Sequence, residues 1–188
     1  MVGGLTQEHW KVISEQMNML ISDKPAIFSN KKFEDSRGYF LELYRKEKLN
    51  VDFVQDNFSY SKKNVFRGMH LQINNPQGKF ISCLCGEIFD IVLDCNPKSK
   101  DFGKLYKYIL TPEFQLYVPP MYAHGFYCVS NEAFISYKCT EYYDKYSEVS
   151  FDIKQFKNQI NEFDMSNIII SDKDNNGLNF KEYFYDKK

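Results

Sequence analysis

The chain has 188 residues, with 24 Lys and Arg against 25 Asp and Glu, so a net charge of −1 supplies no global basic field for nucleic acid. That length suits one domain with a substantial core, and 43% hydrophobic with 26% charged residues is ordinary for a soluble globule. Aromatic residues reach 17%, a bias toward β structure and stacking surfaces.

In chain order, Leu5–Ile21 stands apart. Trp10, Ile13, Met17 and Leu20 recur at three- and four-residue spacing, which predicts an amphipathic helix with Thr6 placed to cap it. It would form an extension, residues 1–22, before a single domain at 23–188, packing on that domain or on a second subunit. His9 reads as a surface histidine of this helix. The start, Met-Val-Gly-Gly, lacks the charged and apolar regions of a secretory leader, and no apolar run is long enough to span a membrane. A cytoplasmic protein is therefore expected.

From Ala26 the chain reads as short strands broken by turns. Lys79–Leu84 and Ile88–Asp94 flank Gly86-Glu87 and carry a hairpin signal. Leu105–Leu110, Gln115–Val118, His124–Val129 and Ala133–Thr140 follow, punctuated by Pro112, Pro119-Pro120 and Asn131. Repeated short strands predict a β-sandwich or barrel, and nothing here is helical enough for βαβ units. The tail, Asp152–Lys188, is polar and mixed, with Ile168-Ile169-Ile170 as its apolar anchor. Five cysteines are present, an odd count, and Cys83 and Cys85 share one face of a strand. They read as small buried apolar residues of a reduced protein.

The chemistry concentrates in Val65–Gln72, where Arg67 and His70 lie three residues apart with Gly68 between, followed by Gln77-Gly78-Lys79. A regular strand would put Arg67 and His70 on opposite faces; a bulge at Gly68 would re-aim one of them. His70 is either a structural histidine or a base, and the local sequence leaves both open. Lys79 is either the solvated end of a strand or a buried cation able to stabilise an oxyanion. His124, behind Pro119-Pro120, belongs to a cavity wall or to a structural turn. Tyr137, Cys139 and Glu141 share one strand face, and Tyr137 is either aromatic core packing or a proton donor once a neighbour perturbs it. No Cys-x-x-Cys or His-x-x-x-His spacing exists, so no metal site is expected. A glycine-rich phosphate loop is also missing.

Several blocks stand in order: Phe33-Glu-Asp-Ser-Arg-Gly-Tyr-Phe-Leu-Glu42, Gln55-Asp-Asn-Phe-Ser59, Arg67-Gly-Met-His-Leu-Gln72, Gln77-Gly-Lys79, Gly86–Asp94, Phe102-Gly-Lys104, Ala123-His-Gly-Phe126, Tyr137–Tyr143 and Ser171-Asp-Lys-Asp174. Together they resemble the dTDP-4-dehydrorhamnose 3,5-epimerase family of the cupin superfamily. The resemblance implies an all-β cupin jelly-roll sandwich with short C-terminal helical segments, a homodimer, and no metal or organic cofactor. It implies a dTDP-linked 4-keto-6-deoxyhexose as substrate, with no nucleic-acid or membrane partner. It makes His70 the proton acceptor beside Asp174, Tyr137 the proton donor, and Lys79 the partner of the C4 oxygen. It gives substrate binding to Arg37, Glu42, Gln55, Asn57, Arg67, His124, Glu148 and Lys173, and thymine stacking to Tyr143. Within the same resemblance, an enzyme inverting only C3 or only C5 of another nucleotide-linked 4-keto sugar stays open, as does a non-catalytic sugar-nucleotide-binding cupin.

Overall fold

The computed structural model describes residues 23–185; the helix expected at Leu5–Ile21 and the extension 1–22 lie outside them. The strands are β1 (Ala26–Ser29), β2 (Lys32–Asp35), β3 (Gly38–Leu41), β4 (Gln55–Lys62), β5 (Phe66–Gln72), β6 (Lys79–Cys85), β7 (Ile88–Asp94), β8 (Leu105–Leu110), β9 (Phe114–Val118), β10 (Tyr122–Cys128), β11 (Glu132–Cys139) and β12 (Glu148–Ser150). A one-turn helix, α1 (Lys46–Leu49), precedes β4, and the C-terminal segment carries two short 3₁₀ helices, then α2 (Asp172–Asn175) and α3 (Phe180–Tyr185). One five-stranded sheet runs β1-β9-β6-β11-β4, a second runs β12-β5-β10-β7-β8, and β2-β3 form a separate hairpin.

From β4 to β12 the chain changes sheet at every step except β7 to β8. That switching makes a jelly roll. It also corrects one expectation. Lys79–Cys85 and Ile88–Asp94 are not a hairpin, because they pair with different neighbours in different sheets. Gly86-Glu87 is a corner. Gly86 takes φ +85°, and a Cβ there would sit 2.1 Å from the Glu132 carbonyl. A local turn signal reads the same for either geometry.

The two larger of three apolar clusters sandwich the second sheet. Between the sheets lie Ile81, Ile88, Val92, Leu116, Phe126 and Ile135, all buried. The outer face of the second sheet carries Met69, Leu71, Ile91 and Leu93, and the C-terminal segment covers it with Phe156, Ile160, Phe163 and Phe180. Each such side chain contributes about 1.5–3 kcal/mol relative to exposure. The tail is therefore a core element rather than a polar appendage. Its aromatic residues follow no helical or strand period, which hides that role in the sequence. Ile168 and Ile170 pack on the layer while Ile169 stays exposed.

All five cysteines are free thiols. Cys83 is buried as expected, but Cys85 is exposed. A register irregularity between Phe134 and Ile135 breaks the ladder between the two, at the strand end before Gly86. Among the described residues, no helix is long and apolar enough to cross a membrane.

Candidate active site

A cavity of about 750 Å³ opens between the sheets. That volume is in the range of small-molecule sites. One wall comes from β5, β10 and β12 of the second sheet, the other from β4, β6 and β11 of the first, and α2 closes one side.

The bulge at Gly68 brings Arg67 and His70 to this cavity together. On β10, His124 pairs with His70 and Phe126 with Arg67, so three steps on β5 match two on β10. The extra residue restores the inward direction at His70. Gly68 has φ +122°, and a Cβ would meet Gly125 Cα at 2.5 Å and the His124 carbonyl at 2.7 Å. Only glycine fits there. Arg67 then lies along β4, its Nε donating to Ser61 Oγ at 3.0 Å and its Nη2 to the Tyr60 carbonyl at 3.0 Å.

His70 Nε2 lies 2.6 Å from Asp174 Oδ1. Ser150 Oγ donates to the same oxygen at 3.1 Å, and the Gly68 N–H donates to Oδ2 at 3.2 Å. Burial pushes the Asp174 carboxyl up, but the His70 contact and the two other donors outweigh it and hold the group below its ordinary value. An ionised carboxylate only accepts, so Nε2 carries the proton. In the neutral imidazole Nδ1 is then the lone-pair nitrogen, and it lies 3.9 Å from Glu148 Oε1. Glu148 in turn accepts from Tyr143 OH at 3.0 Å and from the Lys173 ammonium.

The facing wall carries Tyr137, with Asn57 opposite it on β4 and Ile81 on β6. Burial pushes the Tyr137 phenol up, Cys139 adds to this, and Arg67 opposes it. Lys79 opens β6 beside Cys139, and burial lowers its pKa, with Cys139 and Asp90 pulling the other way. Gln55 Nε2 donates to Asn57 Oδ1 at 2.9 Å, and Gln55 Oε1 accepts from the Tyr143 N–H at 2.8 Å.

A sequence profile of the dTDP-4-dehydrorhamnose 3,5-epimerase family matches residues 21–182. The chain belongs to that family. It is 38% identical to the dTDP-4-dehydrorhamnose 3,5-epimerase of Shigella flexneri over 90% of this chain and 99% of that one. Among solved structures, the dTDP-6-deoxy-D-glucose-3,5-epimerase of Legionella pneumophila, in complex with dTDP-4-keto-L-rhamnose, superposes with a TM-score of 0.79 at 36% identity, covering 86% of this chain and 90% of the other. The dTDP-4-dehydrorhamnose 3,5-epimerase of Elizabethkingia anophelis gives 0.77 at 38%, covering 86% and 93%. The all-β cupin-type sandwich is therefore shared with these epimerases.

Of the residues expected from the epimerase family, His70, Tyr137, Asp174, Lys79, Gln55, Asn57, Arg67, His124, Tyr143, Glu148 and Lys173 all border the one cavity. Arg37 and Glu42 do not. Arg37 sits at the tip of the β2-β3 hairpin, 87% exposed and paired with Asp35. Glu42 follows β3 and pairs with Arg45. Arg37 lies in, and Glu42 just after, a hairpin outside the two main sheets, and neither borders the cavity of its own chain. Glu141, expected on the Tyr137 face, lies past the end of β11 and is exposed. Asp90 is a residue that sequence reasoning passed over. It is fully buried, and its Oδ2 lies 2.8 Å from His124 Nε2. The available signal was an acid inside the apolar run Ile88–Asp94. Among the described residues, no group of three or more His, Cys, Asp or Glu could hold a metal ion.

Proposed function

We propose that this chain inverts C3 and C5 of dTDP-4-keto-6-deoxyglucose, giving dTDP-4-keto-L-rhamnose. The observation that carries this reading is the His70–Asp174 pair at 2.6 Å on one wall of a cavity whose opposite wall holds Tyr137.

A C–H beside a ketone is a far weaker acid than imidazolium, so the base needs help. His70 Nδ1 takes the proton from C3 or C5, and the C–H electron pair moves to the C4 oxygen as an enolate. The Lys79 ammonium, shielded from water, stabilises that oxygen. Asp174 keeps Nε2 protonated and balances the imidazolium that forms. Inversion then requires a proton on the opposite face. Tyr137 lies on the facing sheet, and its raised pKa keeps that proton in place until an adjacent carbanion demands it. The phenolate and imidazolium exchange protons with solvent to reset the site. The C4 ketone supplies the activation, and no hydride moves.

Arg67 suits the diphosphate, since a guanidinium pairs bidentately with phosphate oxygens. Tyr143, fixed by Gln55 and Glu148, offers a ring for the thymine. Arg37 and Glu42 would serve substrate only from a second copy, and that favours a homodimer. The hairpin carrying them exposes Phe33, Tyr39 and Phe40, while the edge strand β4 exposes Phe58 and Tyr60. An edge strand with exposed aromatics is a ready pairing surface. Five free thiols and a nucleotide-sugar substrate favour a cytoplasmic setting.

The test is product stereochemistry by NMR after incubation with dTDP-4-keto-6-deoxyglucose. Inversion at both carbons supports the reading. Inversion at one carbon makes the chain a single-position epimerase, and unchanged substrate makes it a binding cupin. Sedimentation, with Arg37→Ala raising KM, tests the shared site.

A further inference from the structure

We propose that Ser59 hydrogen-bonds the C2 hydroxyl of the bound sugar. The proposal rests on the epimerase reading and adds a specificity residue to it. Along β4, Gln55, Asn57, Ser59 and Ser61 alternate on the inward face. Three of them have polar partners: Gln55 donates to Asn57 at 2.9 Å, Asn57 donates to Cys139 Sγ at 3.6 Å, and Ser61 accepts from Arg67 at 3.0 Å. Ser59 borders the cavity, yet its Oγ is shielded from solvent and meets no protein partner. A hydroxyl so placed carries a desolvation cost that a bound polar group removes. Rotation about its single χ1 re-aims the oxygen.

The neighbours decide which sugar atom it meets. Ser59 pairs with Ile135, and the next inward pair is Asn57 with Tyr137. On its other side Ser61 holds Arg67. Ser59 therefore stands between the guanidinium assigned to the diphosphate and the phenol assigned to the ring carbons. On the sugar, the diphosphate leaves from C1, and proton transfer begins at C3. The atom between them is C2. A serine hydroxyl can donate to and accept from the C2 hydroxyl, whereas the ring oxygen only accepts. Ile135 and Cys83 offer no comparable polar group in that row.

The experiment compares wild type and Ser59→Ala, each with dTDP-4-keto-6-deoxyglucose and with its 2-deoxy analogue, by deuterium uptake in heavy water. Loss of one neutral hydrogen bond lowers kcat/KM about 3- to 10-fold on the natural sugar. On the analogue the two proteins agree within about twofold, and dTDP inhibition is unchanged in both. An equal loss on both sugars, or no loss on the natural one, overturns the proposal. Wild type taking up no deuterium from either sugar overturns the epimerase reading itself, a different signature. If Ser59→Ala does not fold, Ser59→Cys keeps the shape without a strong donor and enters the same comparison.

Discussion

His70 and Asp174 are 104 residues apart in the chain and meet at 2.6 Å between Nε2 and Oδ1. The contact joins an inner strand to the helix that closes the cavity, so it ties the proposed base to the docking of the C-terminal segment. Asp174→Asn replaces an acceptor-only group with an amide and releases the His70 tautomer. Deuterium exchange falls by at least about 100-fold. The folded pKa of Asp174 is depressed, so its stabilisation is present above the ordinary carboxylate value and is lost as pH falls through the folded value. Denaturation midpoints of wild type and Asp174→Asn differ at neutral pH and converge in acid.

On the proposed mechanism, Lys79 sets the alkaline limit of activity. Burial lowers its pKa, so the ammonium is lost below the ordinary lysine value, while burial holds the Tyr137 proton above the ordinary phenol value. The rate therefore falls at a pH below the ordinary lysine value. Lys79→Arg, which keeps its charge, loses activity at neutral pH but shows no such fall. A pH–rate profile of the two proteins measures this.

Gly68→Ala damages both fold and site. The added methyl would lie 2.5 Å from the Gly125 backbone at a positive φ. A loss of stability of at least ~2 kcal/mol follows, together with misalignment of Arg67 and His70. Urea unfolding and dTDP affinity both report it.

Asp90→Asn separates activity from stability. Burial raises the Asp90 carboxyl despite the His124 and Lys79 charges beside it, so the ionised form costs stability at neutral pH. A raised folded pKa contributes stability below the unfolded value and loses it as pH rises through the folded one. Asp90→Asn is therefore no less stable than wild type at neutral pH, and any gain vanishes in acid. Its exchange rate drops about 10-fold or more, because His124 loses its anchor and Lys79 its counter-charge. Thermal melts across pH with parallel rate measurements separate the two effects.

Local sequence held the types of the chemical groups but not their partners. Arg67, Gly68 and His70 in one octapeptide announced an anion ligand, a bulge and an imidazole, and the bulge is present. Nothing local tied His70 to Asp174, since strand periodicity carries no information on which distant segment closes a cavity. The family resemblance supplied that link. The Gly86 corner was misread because a tight turn has one signature whether the chain returns to its own sheet or crosses to the other. Ser59 and Asp90 were hidden for the same reason: their importance lies in missing or buried partners, visible only once the sheets face each other.

The most direct measurement is deuterium incorporation at C3 and C5 by wild type and His70→Asn, with dTDP affinity measured in parallel. The account predicts deuterium at both carbons with wild type. With His70→Asn it predicts none at either, at unchanged dTDP affinity. Exchange that survives in His70→Asn would show that another group removes the proton.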